Sequence, residues 1–171
     1  MDTIVLDACF TIALRDSQKL SLLPQVAKKL SWNLLIPKTV FKECTVKKPH
    51  GLPIKRMVST KTIKICYPTS NVLNKISNRY ANLGKGEIEA LAFATSCKEK
   101  NESVTIISDD QSACKVAKEL KIPTMGTLGF FGKVYKLGLM TKKEIYEFVP
   151  TLATHMWLSQ KVIHDFLKNI K

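Results

Sequence analysis

Acidic residues stand at the ends of strands that this sequence predicts. Asp7 follows the short apolar run Thr3–Leu6, and Asp109 and Asp110 follow the comparable run Val104–Ile107. Sites in open α/β sheets form outside the carboxyl ends of the strands, so these carboxylates are expected at one such edge. A carboxylate against an apolar wall loses hydration, and several at one place need a cation to neutralise their charge.

Two further acids lie on apolar helical stretches between these strands. Glu43 comes shortly after a strand that stops at Pro37, and Glu87 opens an alanine-rich helix. Hard divalent cations such as Mg²⁺ and Mn²⁺ take oxygen ligands and keep several waters. Two such ions about 4 Å apart can activate a water and stabilise the leaving oxygen of a phosphodiester. The acids therefore indicate metal-dependent phosphodiester chemistry.

Each of these acids also has a simpler structural role open to it. Asp7 alone could cap the following helix, and Glu43 alone could be a solvated helix residue. Glu87 and Glu89 lie about 200° apart around an α-helix, so both cannot face the same cleft. Glu87 shares its face with small residues that turn inward. We therefore choose Glu87 as the candidate ligand and leave Glu89 as a supporting or surface residue.

The adjacent residues Asp109 and Asp110 could have different roles, one as a helix cap and one as a metal ligand. Asp110 stands immediately before a predicted helix, whereas Asp109 prolongs the strand. One would then cap the helix while the other binds metal. Ser108 adds a hydroxyl at the same strand end.

The charge of the chain points to a polyanionic partner. The 27 Lys and Arg residues exceed the 14 Asp and Glu residues, which gives a net charge of +13. Arginine is rare, and lysine acts as a mobile point charge. We therefore expect contacts with the phosphate backbone of a nucleic acid, with little preference for its base sequence. Genome composition or a hot habitat is the alternative explanation of the lysine excess.

The cysteines and the hydropathy pattern exclude several other classes. The 5 cysteines form no CxxC pair and no Cys/His cluster, so no zinc site is indicated. No apolar run approaches the roughly 18 residues of a membrane span, and no signal peptide is expected. We predict a cytoplasmic, reduced protein without a membrane association.

Strands alternate with helices along the first part of the chain. Strands are predicted at Thr3–Leu6, Asn33–Ile36, Thr62–Tyr67, Val104–Ser108 and Ile122–Met125. Helices are predicted between them, one of them N-capped by Thr39, and Lys47–Pro53 is predicted to be a loop. Such alternation is typical of an α/β fold: a three-layer α/β/α sandwich with a central parallel sheet. Residues 1–126 would form this core, and 127–171 a helical C-terminal elaboration of the same domain.

Aromatic residues of the C-terminal part are predicted to be core rather than an interface. They are Phe130, Phe131, Tyr135, Tyr146, Phe148 and Trp157.

A glycine-rich segment precedes Glu87 but is not a phosphate-binding P-loop. The order Gly84-Lys85-Gly86-Glu87 lacks the Ser or Thr that a Walker A motif has after its lysine. Gly84 is predicted to end the preceding helix, with a tight turn into the next. Lys85 could still contact a phosphate of the substrate.

The acidic motifs together resemble the PIN-domain family. The motifs are Ile4-Val5-Leu6-Asp7-Ala8-Cys9, the segment from Ile36-Pro37 to Glu43, the helix opened by Gly86-Glu87, and Ile106-Ile107-Ser108-Asp109-Asp110. Gly126-Thr127-Leu128-Gly129 and the later Lys136-Leu137-Gly138-Leu139 resemble a prokaryotic subgroup of PIN-like proteins. The resemblance covers nearly the whole chain.

The resemblance implies cleavage of single-stranded or structured RNA that depends on Mg²⁺ or Mn²⁺. Carried over by position, the metal ligands would be Asp7, Glu43, Glu87 and Asp110, with Asp109 as an auxiliary ligand. Many members of the family are toxins held inactive by an antitoxin protein, and homodimers are common.

The chain departs from the family pattern two residues after the first Asp. Cys9 stands where the family often has Ser or Thr, and a thiol is a poor ligand for a hard cation. Thr11 could compensate for the missing hydroxyl.

Three functions follow as hypotheses. The first is a metal-dependent endoribonuclease, with the toxin of a toxin–antitoxin pair as its variant. The second is a PIN-like RNA- or protein-binding module with a weak site. The third is a structure-specific DNA nuclease, because lysine contacts to the phosphates of a nucleic acid do not distinguish ribose from deoxyribose.

Overall fold

The computed structural model describes residues 1–46, 50–156 and 158–170, which form five strands and ten helices. The strands are β1 (Asp2–Leu6), β2 (Trp32–Pro37), β3 (Lys64–Cys66), β4 (Val104–Ile107) and β5 (Thr124–Met125). The helices are α1 (Ala8–Asp16), α2 (Leu22–Leu30), α3 (Lys38–Thr45), α4 (Leu52–Ser59), α5 (Ser70–Arg79), α6 (Lys85–Glu99), α7 (Gln111–Glu119), α8 (Thr127–Lys136), α9 (Lys142–Leu152) and α10 (Gln160–Lys168). None of the helices within these ranges is long and apolar enough to cross a membrane.

The strands pair in parallel in the order β3-β2-β1-β4-β5. Successive side chains of a strand point to opposite faces, and both faces of this sheet are buried. Ile4 and Leu6 therefore pack into one apolar cluster with α1 to α4 and α8 to α10, whereas Val5 packs into a second with α5 to α7. The predicted three-layer α/β/α sandwich is confirmed.

The C-terminal helices share the larger apolar cluster with the sheet. Phe130 on α8 contacts Phe10 on α1 edge to face, with ring centroids 5.1 Å apart. Phe130 and Phe131 are fully buried, as predicted, but Tyr146 is 41% exposed, so its assignment to the core is wrong. Trp157 lies outside the described residues.

Three local predictions are wrong, each for a physical reason. Gly84 does not end α5, which stops at Arg79; it is the N-cap of α6. Thr39 does not cap α3, because the hydroxyl and the amide of Thr39 donate to Glu89 on α6 instead. Helix α3 begins at Lys38, and Pro37 is its N-cap. The predicted loop Lys47–Pro53 extends into α4, whose first turn accommodates Pro53 without loss of a helical hydrogen bond. Residues 47–49 of that loop lie outside the described ranges.

Helices α3 and α6 approach each other closely near the carboxyl ends of the strands. The close contact is at Gly86, where an added Cβ would lie 2.8 Å from Cγ2 of Val40 and 3.4 Å from Oε2 of Glu43. Val40 is fully buried and β-branched, so it has little freedom to move aside. Only glycine therefore allows this separation of the two helices.

We expect Gly86→Ala to lower the free energy of unfolding by about 1–2 kcal/mol, because the overpacking outweighs the helix preference of alanine. Gly132→Ala on α8 is the matched control, since its new Cβ would meet only Phe166, at 3.6 Å. The control should be neutral or stabilising by up to about 1 kcal/mol. Urea unfolding measures both variants, and equal stability of the two would contradict the close approach.

Candidate functional site

Asp7 joins the end of β1 to the start of α1. Its side chain is only 5% exposed. Oδ1 accepts a hydrogen bond from the amide of Ala8 at 2.7 Å, and Oδ2 accepts one from the hydroxyl of Ser108 at 3.0 Å. Asp7 is therefore the N-cap of α1. It is also a buried carboxylate that faces the end of β4, the neighbouring strand.

The end of β4 supplies Ser108 and Asp110 beside Asp7. The Ser108 hydroxyl donates to Asp7 and accepts from the amide of Asp110 at 3.2 Å. Oδ1 of Asp110 accepts from the amide of Ala113 at 2.7 Å, so Asp110 caps α7. Ser108 thus fixes the distance between the two strand ends that carry the acids.

Asp109 is directed to the next strand and helix rather than to Asp7. Both of its oxygens accept from the amide of Thr127, at 2.9 and 3.0 Å, and Oδ2 also accepts from the Thr127 hydroxyl. A Cβ on Gly126 would lie 2.7 Å from Oδ1, so glycine is needed for this approach. Asp109 therefore holds the start of α8 against the end of β4.

Helices α6 and α3 supply the remaining two acids. Oε2 of Glu87 accepts from the amide of Gly84 at 2.9 Å, so Glu87 also stabilises the first turn of α6. Glu43 is exposed, and its carboxylate lies against Gly86 through the close contact of α3 and α6. The packing of these helices thus brings a carboxylate from each to the carboxyl edge of the sheet.

The carboxylates of Asp7, Glu43 and Glu87 disfavour one another's charge. Desolvation is the largest cause that raises the pKa of all three. For Asp7 and Glu87, hydrogen bonds from Ala8 and Gly84 oppose this rise in pKa. Repulsion then adds to it: Asp7 and Glu87 both raise the pKa of Glu43, and Asp110 raises the pKa of Asp7 and of Glu87. The edge therefore carries negative charge that is costly without a cation.

Apolar side chains beside Asp7 contribute to its desolvation. A cavity of about 10 Å³ lies there, roughly the room that one water needs. Its lining is mainly apolar: Asp7, Glu87, Ser108, Cys114 and Thr124 share it with Ala90, Leu91, Ile106, Ala113 and Ala117. The apolar part of this lining keeps water from solvating the carboxylate of Asp7 fully.

Cys9 and Thr11 lie close to Asp7 but offer little to a hard cation. Partial desolvation, together with the charges of Asp7 and the other acids, raises the pKa of the Cys9 thiol to about 11. Without a bound cation, the Cys9 thiol is therefore expected to be neutral at pH 7 rather than an activated nucleophile. The Thr11 hydroxyl is fully buried and donates to the backbone oxygen of Asp7 at 2.7 Å.

Glu89 and Lys85 on α6 are the remaining charged candidates, and the charge of Glu89 contributes, after desolvation and the charges of Asp7 and Glu87, to the raised pKa of Glu43. Oε1 and Oε2 of Glu89 accept from the hydroxyl and the amide of Thr39, at 2.6 and 2.8 Å. Glu89 therefore supports the start of α3. Lys85 is the exposed first residue of α6, next to the turn that Glu87 stabilises.

The donor set of this edge fits a cation that keeps much of its own water. Across residues 1–46, 50–156 and 158–170, no three His, Cys, Asp or Glu side chains form a ready-made set of metal ligands. Magnesium is usually held by only one or two carboxylates, with waters in its other positions. Oxygen donors that repel each other in a desolvated place suit such an ion, and the metal site stays a prediction.

Two side chains that matter for this arrangement were missed in the sequence. Thr127 was noted only as part of the Gly126–Gly129 motif, and Thr39 only as a helix cap. Their partners Asp109 and Glu89 are 18 and 50 residues away in the chain. A local pattern contains no signal for such pairs, although Thr127 lies two residues after a predicted strand end.

A comparison with known families agrees with this fold. A family model with the description DUF3368, PIN domain, matches residues 3–171. No curated protein matches the chain significantly. The match covers the sheet, all the acids at its carboxyl edge and the C-terminal helices, while the finer subgroup with the Gly-Thr-Leu-Gly motif stays a prediction. The chain belongs to the PIN-domain family, whose members are generally nucleases.

Proposed function

We propose that this protein is an endoribonuclease that uses Mg²⁺ or Mn²⁺ to hydrolyse RNA phosphodiesters. The observation that carries the proposal is the group of mutually repelling carboxylates around Asp7, at the carboxyl edge of the sheet in a chain of net charge +13. A polyanion approaches such a protein readily, but it cannot approach the carboxylates themselves unless a cation neutralises them. The combination favours metal-dependent attack on a phosphate.

Asp7, Glu43, Glu87 and Asp110 would hold the cation. Each oxygen of Asp7 accepts one hydrogen bond and keeps a second lone pair, and Oδ2 of Asp110 accepts none from the described residues. Asp109 differs, because Thr127 takes both lone pairs of its Oδ2. We therefore assign Asp109 a positioning role, although the family resemblance makes it an auxiliary ligand.

The protein's own groups position the substrate around this charge. A bound divalent cation would supply the positive charge that activates a water and stabilises the leaving oxygen. Ser108 keeps the carboxylate of Asp7 oriented, and Glu89 keeps α3 in place beside α6. Lys85 lies at the rim of the edge, where its ammonium can contact a flanking phosphate.

The narrower hypotheses concern biological context. A toxin role with a cognate antitoxin, a homodimer and a cytoplasmic location stay predictions that rest on the family resemblance and on composition. The neutral thiol of Cys9 argues against covalent catalysis by cysteine.

Asp7→Asn is expected to lower the rate of Mg²⁺- or Mn²⁺-dependent cleavage of single-stranded RNA by about 100-fold or more, because it removes a charged ligand. RNA binding should remain largely intact, since the lysines are unchanged. The measurement is cleavage of an end-labelled oligoribonucleotide, with Asp165→Asn on the exposed face of α10 as the matched control.

Equal activity of Asp7→Asn and wild type would contradict the catalytic assignment. If the wild-type protein cleaves no RNA with either ion but binds RNA with a steep salt dependence, the binding-module hypothesis is correct. Cleavage of structured DNA without cleavage of RNA would favour the DNA nuclease.

The raised pKa values predict how stability depends on pH when divalent cations are absent. Above the ordinary values of 3.8 for Asp7 and 4.5 for Glu43 and Glu87, the folded state binds more protons than the unfolded state. The free energy of unfolding contributed by these groups therefore falls as the pH rises through their folded pKa values. Asp16 and Glu144, whose pKa values are lowered, act in the opposite sense at acidic pH.

Asp7→Asn tests this effect, because asparagine removes the charge, its carbonyl oxygen can still accept from Ala8, and its NH₂ group can donate to the Ser108 hydroxyl in a reversed hydrogen bond. In EDTA, the stability of the variant relative to wild type should increase from pH 4 to pH 8, and Mg²⁺ should stabilise the wild type more. Urea unfolding across this pH range measures both effects. A difference that stays constant with pH would contradict the repulsion among the acids.

A further inference from the structure

An exposed tyrosine and a lysine extend the functional edge away from the acids. Tyr67 directly follows β3, and 62% of its surface is exposed. Lys38 is the first residue after β2, and its ammonium lies 5.7 Å from the centroid of the Tyr67 ring. Both residues follow strands at their carboxyl ends, as Asp7 does.

The strand order gives the distance between this pair and the acids. Strand β2 separates β3 from β1, which ends at Asp7. Neighbouring strands are about 4.8 Å apart, so Tyr67 begins about 10 Å along the edge from Asp7. A nucleic-acid strand with a phosphate at the acids can therefore reach Tyr67 within a few nucleotides.

The surroundings of Tyr67 leave the ring open and hold its backbone. Pro68 follows, and a residue before proline is restricted to extended conformations. Within the described residues, the Tyr67 hydroxyl makes no hydrogen bond. A ring on a restricted backbone loses little conformational entropy when a flat ligand stacks on it.

The backbone of Lys38 is held beside Tyr67 by a contact between α3 and α6. Thr39, the next residue, donates two hydrogen bonds to Glu89 on α6. These bonds fix the start of α3, and with it the backbone of Lys38, relative to the acids. The ammonium beside the Tyr67 ring is exposed and available to an anion.

We propose that Tyr67 and Lys38 form a nucleotide subsite, in which a base stacks on the Tyr67 ring and the adjoining phosphate binds Lys38. The subsite selects single-stranded over double-stranded nucleic acid, because the bases of a duplex are already stacked and paired and offer no free face. This inference rests on the proposed function, since the acids mark where the cleaved phosphate lies.

A second lysine–tyrosine pair in the same chain provides the matched control. Lys142 lies 5.7 Å from the ring centroid of Tyr146 on α9, the same separation as in the first pair. Tyr146 is also exposed, but its hydroxyl donates to the backbone oxygen of Leu167 on α10. The second pair therefore reproduces the local contact on the C-terminal helices instead of at the carboxyl edge.

Binding is measured by fluorescence anisotropy with a short, labelled single-stranded oligoribonucleotide, in an Asp7→Asn background that prevents cleavage. Tyr67→Ala should weaken the affinity by about 5- to 100-fold, the range found for loss of one stacked base. Tyr67→Phe should retain it. Lys38→Ala should reduce by about one the slope of the logarithm of the binding constant against the logarithm of the salt concentration. Tyr146→Ala and Lys142→Ala should leave binding unchanged.

An abasic nucleotide placed at each position of the oligoribonucleotide in turn locates the stacked base. One or two positions should lose affinity with Tyr67 present, and that loss should disappear in Tyr67→Ala, as in a double-mutant cycle. A loss that persists in Tyr67→Ala, or an equal effect of Tyr146→Ala, would overturn the subsite.

The two proposals fail separately. A wild-type protein that cleaves RNA while Tyr67→Ala binds normally overturns the subsite alone. Binding that depends on Tyr67, in a wild-type protein that cleaves no RNA with either ion, supports the subsite and overturns the nuclease.

Discussion

Repulsion between desolvated carboxylates is the constraint around which this fold is arranged. Asp7, Glu43 and Glu87 come from a strand end and from two helices, and each is less hydrated than it would be in solution. Folding must therefore overcome their mutual repulsion before any function is possible. The buried packing of both faces of the sheet opposes that repulsion, and a divalent cation would relieve it.

Hydrogen bonds between distant elements keep the acids in place. Ser108 connects the ends of β1 and β4, Asp109 holds α8 through Thr127, and Glu89 holds α3 through Thr39. These bonds leave the helices little freedom to separate in response to the repulsion. Positive charge lies outside this group, on exposed lysines such as Lys38 and Lys85, so the edge pairs an acidic centre with a basic rim.

The ends of β1 and β4 and the helix starts that follow them were predictable from the sequence, because an apolar β-branched run followed by an acid is a local pattern. Asp7 and Asp110 are where that pattern puts them. Contacts across the chain were not predictable: Thr39 resembled a helix cap, and only the packing of α3 against α6 makes it a donor to Glu89. The close approach at Gly86 was equally hidden, because a glycine before an acidic helix start resembles an ordinary turn.

Paramagnetic broadening by Mn²⁺ tests the central claim most directly, because it reports where the ion lies without requiring cleavage. In an amide ¹H–¹⁵N NMR titration, substoichiometric Mn²⁺ should first broaden the amide signals of Ala8, Glu43, Glu87 and Asp110. Excess Mg²⁺ should restore these signals, and Asp7→Asn should weaken the effect. Broadening that begins elsewhere, for example around the exposed Glu147 on α9, would contradict a metal site at the carboxyl edge of the sheet.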